Sequence, residues 1–272
     1  MTRIVFLISW ALVFATGAHA QSSGLKRLNT GDDSRGWEAV GRLDVAGKGF
    51  CTGALIAPDL VLTAAHCLFD RDTGARVDHN IIEFRAGWRD GRASAYRNVR
   101  RAVVHPDYDY DGTASTDRVR NDLALIELDR PIRNTRVMPF ETAERPTKGD
   151  KIGVVSYALD RSEAPSLQEM CHVMARQKGD LVMSCDVNFG SSGAPIFNIE
   201  GDVAKIVSVV SAKAEVKGLR VSLGTALESP LARLRAELAA GRGRFSVIGA
   251  RASRDAAVAE GRGISGAKFM KP

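Results

Sequence analysis

The sequence predicts an all-β fold, and three observations carry that reading. Short apolar segments recur along the chain, each bounded by turn residues: 37–43, 53–56, 60–63, 81–86, 99–104, 123–128, 152–157, 181–183, 206–211 and 219–223. Few long helical periods separate them, and many short strands at such spacing suggest a barrel or a sandwich. One helix is well signalled, after the last strand. Ser229 can cap it, Pro230 suits the first helical position, Leu231, Leu234 and Leu238 share a face, and Gly241 ends it. With 272 residues, the chain can hold one large domain or two small ones sharing an interface.

At the start of the chain, Arg3 precedes an apolar run over 4–15, and Ala18-His19-Ala20 supplies the small residues of a cleavage site. Residues 1–20 therefore read as a secretory signal peptide cut after Ala20. The run is short for a membrane span, which needs about 20 apolar residues. A soluble mature chain is expected, with no membrane span, secreted or periplasmic. Residues 21–36 are polar and read as a mobile leader or propeptide, 37–240 as the folded domain, and 241–272 as a basic, flexible tail. The tail carries Arg242, Arg244, Arg251, Arg254, Arg262, Lys268 and Lys271 against Asp255 and Glu260, so most of the chain's net charge of +6 sits there. The body is close to neutral, and no nucleic-acid partner is expected. The tail's charge could contact an anionic surface, but no aromatic platform for bases accompanies it.

The four cysteines, Cys51, Cys67, Cys171 and Cys185, are an even number in a chain expected in an oxidising compartment. Three pairings are possible. The local bridges, Cys51–Cys67 and Cys171–Cys185, would each close a loop of about 15 residues, worth roughly 3 kcal/mol in the chain-entropy model. No C-x-x-C pair supports a zinc site. The segment 107–112 begins like a calcium loop, but its twelfth position is Arg118 where a bidentate glutamate is needed, so it reads as an acidic surface loop. His79, His105 and His172 lack metal-ligand spacing and are expected on the surface or in loops. No metal or cofactor is read from the chain.

Three stretches carry chemistry together. Asn188-Phe189-Gly190-Ser191-Ser192-Gly193-Ala194-Pro195 offers a hydroxyl on a glycine-bounded turn, where the N–H groups of Gly190 and Ser192 could form an oxyanion hole. At the end of the 60–63 strand, Thr63-Ala64-Ala65-His66-Cys67 presents a histidine. Asn121-Asp122-Leu123-Ala124-Leu125 places an aspartate at the mouth of an apolar strand. Serine attack on a carbonyl needs a base, and that base needs a carboxylate to hold its tautomer. His66, Asp122 and Ser192 can supply these roles in the order His, Asp, Ser. That order differs from those of subtilisin-type enzymes and α/β-hydrolases, and Ala194 breaks the G-x-S-x-G elbow of the latter.

These three blocks resemble the signature blocks of the chymotrypsin/trypsin-like serine peptidases, in particular the bacterial glutamyl-endopeptidase-like members. The resemblance covers roughly residues 37–240. It implies two six-stranded antiparallel β-barrels with the active site between them and a C-terminal helix. His66 and Asp122 would come from the first barrel and Ser192 from the second, with Cys51 and Cys67 joined. The implied activity is hydrolysis of protein or peptide substrates by an exported serine endopeptidase through an acyl-enzyme. The alternatives are a non-catalytic trypsin-like binding protein, or an esterase with the same triad.

Ser191 stands where zymogen-type members carry an aspartate that pairs with a new N-terminal amine, and their Ile-Val-Gly-Gly start is absent. Activation by that ion pair is not expected. Asp186, six residues before Ser192, occupies the position that sets basic specificity in trypsin-like members, although Cys185 lies seven before Ser192 and puts the pocket loop on another path. Ser211 lies in a segment, 210–213, that resembles the strand binding substrate backbone. Glutamate-specific relatives place a histidine before that serine. Val210 stands there instead.

Overall fold

The computed structural model describes residues 24–46, 49–111, 115–177, 179–201 and 203–244, and the backbone of 267–269. The expected signal peptide and most of the tail lie outside the described residues. Among these, no helix is long and apolar enough to cross a membrane.

The first barrel follows from period-2 burial. Strands β2 (Val40–Val45), β3 (Gly49–Ala57), β4 (Leu60–Thr63), β5 (Ile82–Ala86), β6 (Ala95–Val104) and β7 (Ala124–Leu128) close in the order β2-β3-β4-β7-β6-β5. Leu43 and Val45 point inward while Arg42 and Asp44 face the other way. Gly41 is required because a Cβ there would strike the Phe84 ring, which fills the barrel. A short helix, α1 (Thr116–Asn121), is capped by Ser115, which accepts the N–H of Arg118. It delivers the chain to β7.

The second barrel contains β8 (Lys151–Ala158), β9 (Arg161–Gln177), β10 (Asp180–Met183), β11 (Pro195–Glu200), β12 (Val203–Val216) and β13 (Leu219–Ala226). Pairing runs β9-β10-β13-β12-β11-β8, and β8 also pairs with β9, so the six strands close a ring. Two strands from segments with no expected element join its edges. β1 (Leu25–Arg27) pairs antiparallel with β9, and β14 (Ala267–Phe269) pairs antiparallel with β12. Leader residues 25–36 are thus bound to the body, and Leu28 is fully buried after β1. β9 was not legible in the sequence: seventeen residues rich in polar side chains with an internal Pro165 lack a clean alternation.

Helix α2 (Glu228–Ala239) begins at a Leu227 cap, before the expected Ser229, and makes no side-chain cap bond. Leu231, Leu234 and Leu238 bury its inner face as expected, and Arg101 of β6 donates to the Leu238 carbonyl at 2.9 Å. The C-terminal helix therefore packs on the first barrel. Trp37, Phe140 and Phe197 form a second clamp: ring centroids lie 4.8 to 6.0 Å apart. Phe197 belongs to β11, so this aromatic trio binds the second barrel to the segments flanking the first. Tyr157 of β8, fully buried, donates its hydroxyl to the Trp88 carbonyl at 2.9 Å. Its N–H donates to Thr52 Oγ1 of β3 at 3.1 Å.

His105 lies in the loop after β6 and His79 opens a short 3₁₀ turn; both side chains are buried, and burial holds the His105 imidazole below the usual histidine range. Only His172 of the three is exposed. In the acidic loop 107–112, Asp107, Asp109 and Asp111 are exposed as expected, while Tyr108 is buried and packs with Tyr110 around Phe69.

Candidate active site

β4 runs out through Thr63 and Ala64 into a 3₁₀ turn, Ala65–Leu68, that carries His66. The turn is tied back to β3 by a disulfide between Cys67 and Cys51, and a second disulfide joins Cys171 to Cys185. Cys51, His66 and Cys67 group their ligand atoms within 4.8 Å, but both sulfurs are spent in the disulfide. Asp122 follows α1 and is 3% exposed. Its Oδ1 accepts the His66 backbone N–H at 2.9 Å, and its Oδ2 lies 2.7 Å from His66 Nδ1. Ser211 Oγ donates to the same Oδ2 at 2.5 Å. Three donors hold the buried carboxylate in one orientation. With Nδ1 facing the carboxylate, Nε2 is the nitrogen left to exchange a proton.

Ser192 sits on a turn built by backbone bonds. Ser191 N–H donates to the Asn188 carbonyl at 2.9 Å, and Ala194 N–H to the Ser191 carbonyl at 3.0 Å. Gly193 N–H donates to the Val210 carbonyl at 2.8 Å. These bonds leave out the N–H groups of Gly190 and Ser192. Gly190 and Gly193 have φ of 97° and 77°, a region that favours glycine. The turn is seated on the first barrel: Thr52 N–H donates to the Ser192 carbonyl at 2.8 Å and Thr52 Oγ1 to the Gly190 carbonyl at 2.9 Å. A Cβ on Gly193 would collide with Thr63 Oγ1 and the Thr52 carbonyl. The serine turn is thus packed against the two residues that precede the histidine turn.

Ser191 is fully buried. Its hydroxyl meets Ser156 Oγ at 3.1 Å, donates toward the Tyr157 carbonyl at 3.2 Å and accepts the Asn188 N–H at 3.3 Å. Hydroxyl bonds, with the Arg161 guanidinium 3.5 Å away, occupy the place where zymogen-type members bury an ion pair.

Beside the turn is a cavity of about 350 Å³, lined by Arg161, Asp186, Asn188, Lys213 and Arg220 among others. Asp186 is exposed on its wall, and Gln168 Oε1 accepts its N–H at 2.7 Å. The Arg161 guanidinium contacts Asp160 at 3.1 Å and reaches Ser156 and Ser191, and burial lowers its pKa. Lys213 Nζ donates to Asn188 Oδ1 at 3.2 Å and lies 3.6 Å from the Phe189 ring centroid. Arg161 and Arg220 have no sequence signal, because they reach the cavity from two different strands, β9 and β13. A smaller cavity, about 180 Å³, opens at His66 between Phe50, Phe69 and Arg71.

A closed six-strand barrel, a second six-strand ring and a histidine–carboxylate pair where they meet define the two-barrel trypsin-like class. The chain belongs to the trypsin family: a family profile described as Trypsin matches residues 30–223. It is 29% identical over 153 residues to mast cell protease 3 of Ovis aries, covering 56% of this chain and 55% of that protein. It is 31% identical over 124 residues to mannan-binding lectin serine protease 1 of Homo sapiens, covering 40% and 17%. The chain thus spans about half, or less, of the curated relatives it matches. A solved structure of a Glu endopeptidase in complex with MPD superposes with a TM-score of 0.65 at 20% identity, covering 81% of this chain and 98% of that one. That likeness shows the fold.

Proposed function

We propose that this chain is an exported serine endopeptidase that works through an acyl-enzyme. Ser192 attacks the scissile carbonyl, His66 takes its proton and returns it to the leaving amine, and Asp122 holds the imidazole. The N–H groups of Gly190 and Ser192 receive the oxyanion. The observation that carries this reading is the His66–Asp122 pair, held beside a serine turn whose Gly193 is wedged against Thr63 and Ala64. Two disulfides suit an oxidising compartment, in line with the signal-like residues 1–20. The buried hydroxyl network of Ser191 supports activity without an N-terminal ion pair.

The cavity favours an acidic side chain on the acyl side of the scissile bond. Arg161, Lys213 and Arg220 outnumber Asp160 and Asp186 there, and the neighbouring Arg161 guanidinium draws on the Asp186 charge. Asp186 would then be a partner to the cations instead of a receptor for lysine or arginine. The folding neighbour named as a Glu endopeptidase is consistent with this, although Val210 replaces the expected histidine. A fluorophosphonate probe should label the chain and fail on Ser192→Ala; failure to label the unaltered chain would favour the binding-protein alternative. A peptide library should then show cleavage after Glu or Asp in preference to Lys. Hydrolysis of esters without any peptide turnover would favour the esterase, and preference for Lys would restore the Asp186 reading.

A further inference from the structure

The edge of β12 that runs past the serine turn is occupied from two sides. β11 pairs with it up to Val209, opposite Pro195, and the Val210 N–H and carbonyl bond to Ala194 and Gly193. β14 takes it from the other end, with Ala214 opposite Phe269, Glu215 opposite Lys268 and Val216 opposite Ala267. Among the described residues, what remains open on this edge is Ser211, Ala212 and Lys213, beside Asp122 and the cationic cavity.

The direction of β14 matters as much as its place. β14 is antiparallel to β12, so its chain advances from Val216 toward Ala214, the end of the edge nearer Ser211. The polarity is that of a substrate. A peptide on this edge whose carbonyl end approaches Ser192 must also run opposite to β12.

We propose that residues 267–269 of the tail are an internal ligand of the β12 edge, added as a strand over 214–216, which competes with the backbone of peptide substrates that extend past Lys213. This rests on the peptidase reading for its consequence, but not for the pairing itself. Strand addition takes its affinity from main-chain hydrogen bonds, so the occupant needs an extended segment and not a particular side chain. A tethered segment acts at an effective concentration in the millimolar range when its linker can span the sites. Even weak pairing would then rival a free peptide substrate. Long substrates would be hindered most, because β14 holds the part of the edge that residues more than three before the scissile bond would need.

The test uses the full chain and a Lys268→Pro/Phe269→Pro double variant. Consecutive N–H groups of a strand point to opposite edges, so one of the two prolines removes a donor facing β12 whatever the pairing phase. Hydrogen exchange measured on peptides containing 211–216 should quicken in the variant, with the rest of β12 unchanged. KM for a hexapeptide substrate should fall about two- to tenfold with kcat unchanged, and a tripeptide should respond less. A synthetic peptide of residues 267–272 should raise KM in the variant. Unchanged exchange overturns the pairing, and quicker exchange with unchanged KM overturns the competition. If a fluorophosphonate labels Ser192 in neither chain, the peptidase reading fails while the exchange result still decides the pairing.

Discussion

Ser211→Ala is the sharpest probe of the carboxylate that orients His66. Asp122 is nearly inaccessible and accepts three hydrogen bonds, two from His66 and one from the Ser211 hydroxyl on its Oδ2. A hydrogen bond to a charged group contributes about 1.5–3 kcal/mol. His66 keeps its two bonds in the variant, and the space left by one hydroxyl admits partial relaxation, so the lower end applies. If that loss falls on the imidazolium formed during attack, about 1.4 kcal/mol corresponds to a tenfold fall in kcat. KM should change little, because the hydroxyl is turned to Asp122 and away from the open strand edge. Ser211→Thr should restore most of the rate. The assay is steady-state hydrolysis of a chromogenic peptide with the thermal midpoint recorded alongside. A kcat within twofold of the unaltered chain would refute the reasoning, and a change confined to KM would place Ser211 on the substrate instead.

Gly193→Ala forces a Cβ into Thr63 and the Thr52 carbonyl at a φ of 77°, so fluorophosphonate labelling should be lost along with several kcal/mol of stability, read by denaturant unfolding. Replacing Cys51 and Cys67 together by serine should cost about 3 kcal/mol and slow the peptidase further by loosening the His66 turn; equal stability would show that packing alone fixes the turn. Asp180 is fully buried beneath Arg120 and Arg145, and neither carboxylate oxygen has a hydrogen-bond partner. Burial raises its pKa from 3.8 to about 7, with the two arginines opposing. Between those values the unfolded chain releases a proton that the folded chain retains, so stability falls as pH rises from about 4 to 7. At 1.36 kcal/mol per unit the loss has an upper bound of about 4 kcal/mol. Asp180→Asn should therefore raise the melting midpoint more at pH 8 than at pH 4; an equal shift at both would contradict the burial argument.

Much of the site was legible from short motifs. Thr63-Ala64-Ala65-His66-Cys67 and Gly190-Ser191-Ser192-Gly193 are local, and their chemistry depends on turns that neighbouring residues dictate. The β2 and β7 strands likewise declare themselves, because each buries one face or a whole apolar run. The strands β1 and β14 were not legible. Polar or basic segments of three residues enter a sheet only because β9 and β12 present open edges, and those edges exist only after the second barrel has closed. β9 itself hid its alternation behind Pro165 and its bulges.

By itself the sequence determined the chemistry on offer: a hydroxyl, an imidazole and a carboxylate in a fixed order, with cysteines spaced for local bridges. Tertiary structure decided where charges meet. Arg161, Lys213 and Arg220 come from three strands, and they line one cavity with Asp186 only because β9, β12 and β13 converge there. Backbone pairing is set by hydrogen-bond edges and not by side-chain identity. For that reason no local pattern could report the cationic cavity, or the tail strand lying at its rim.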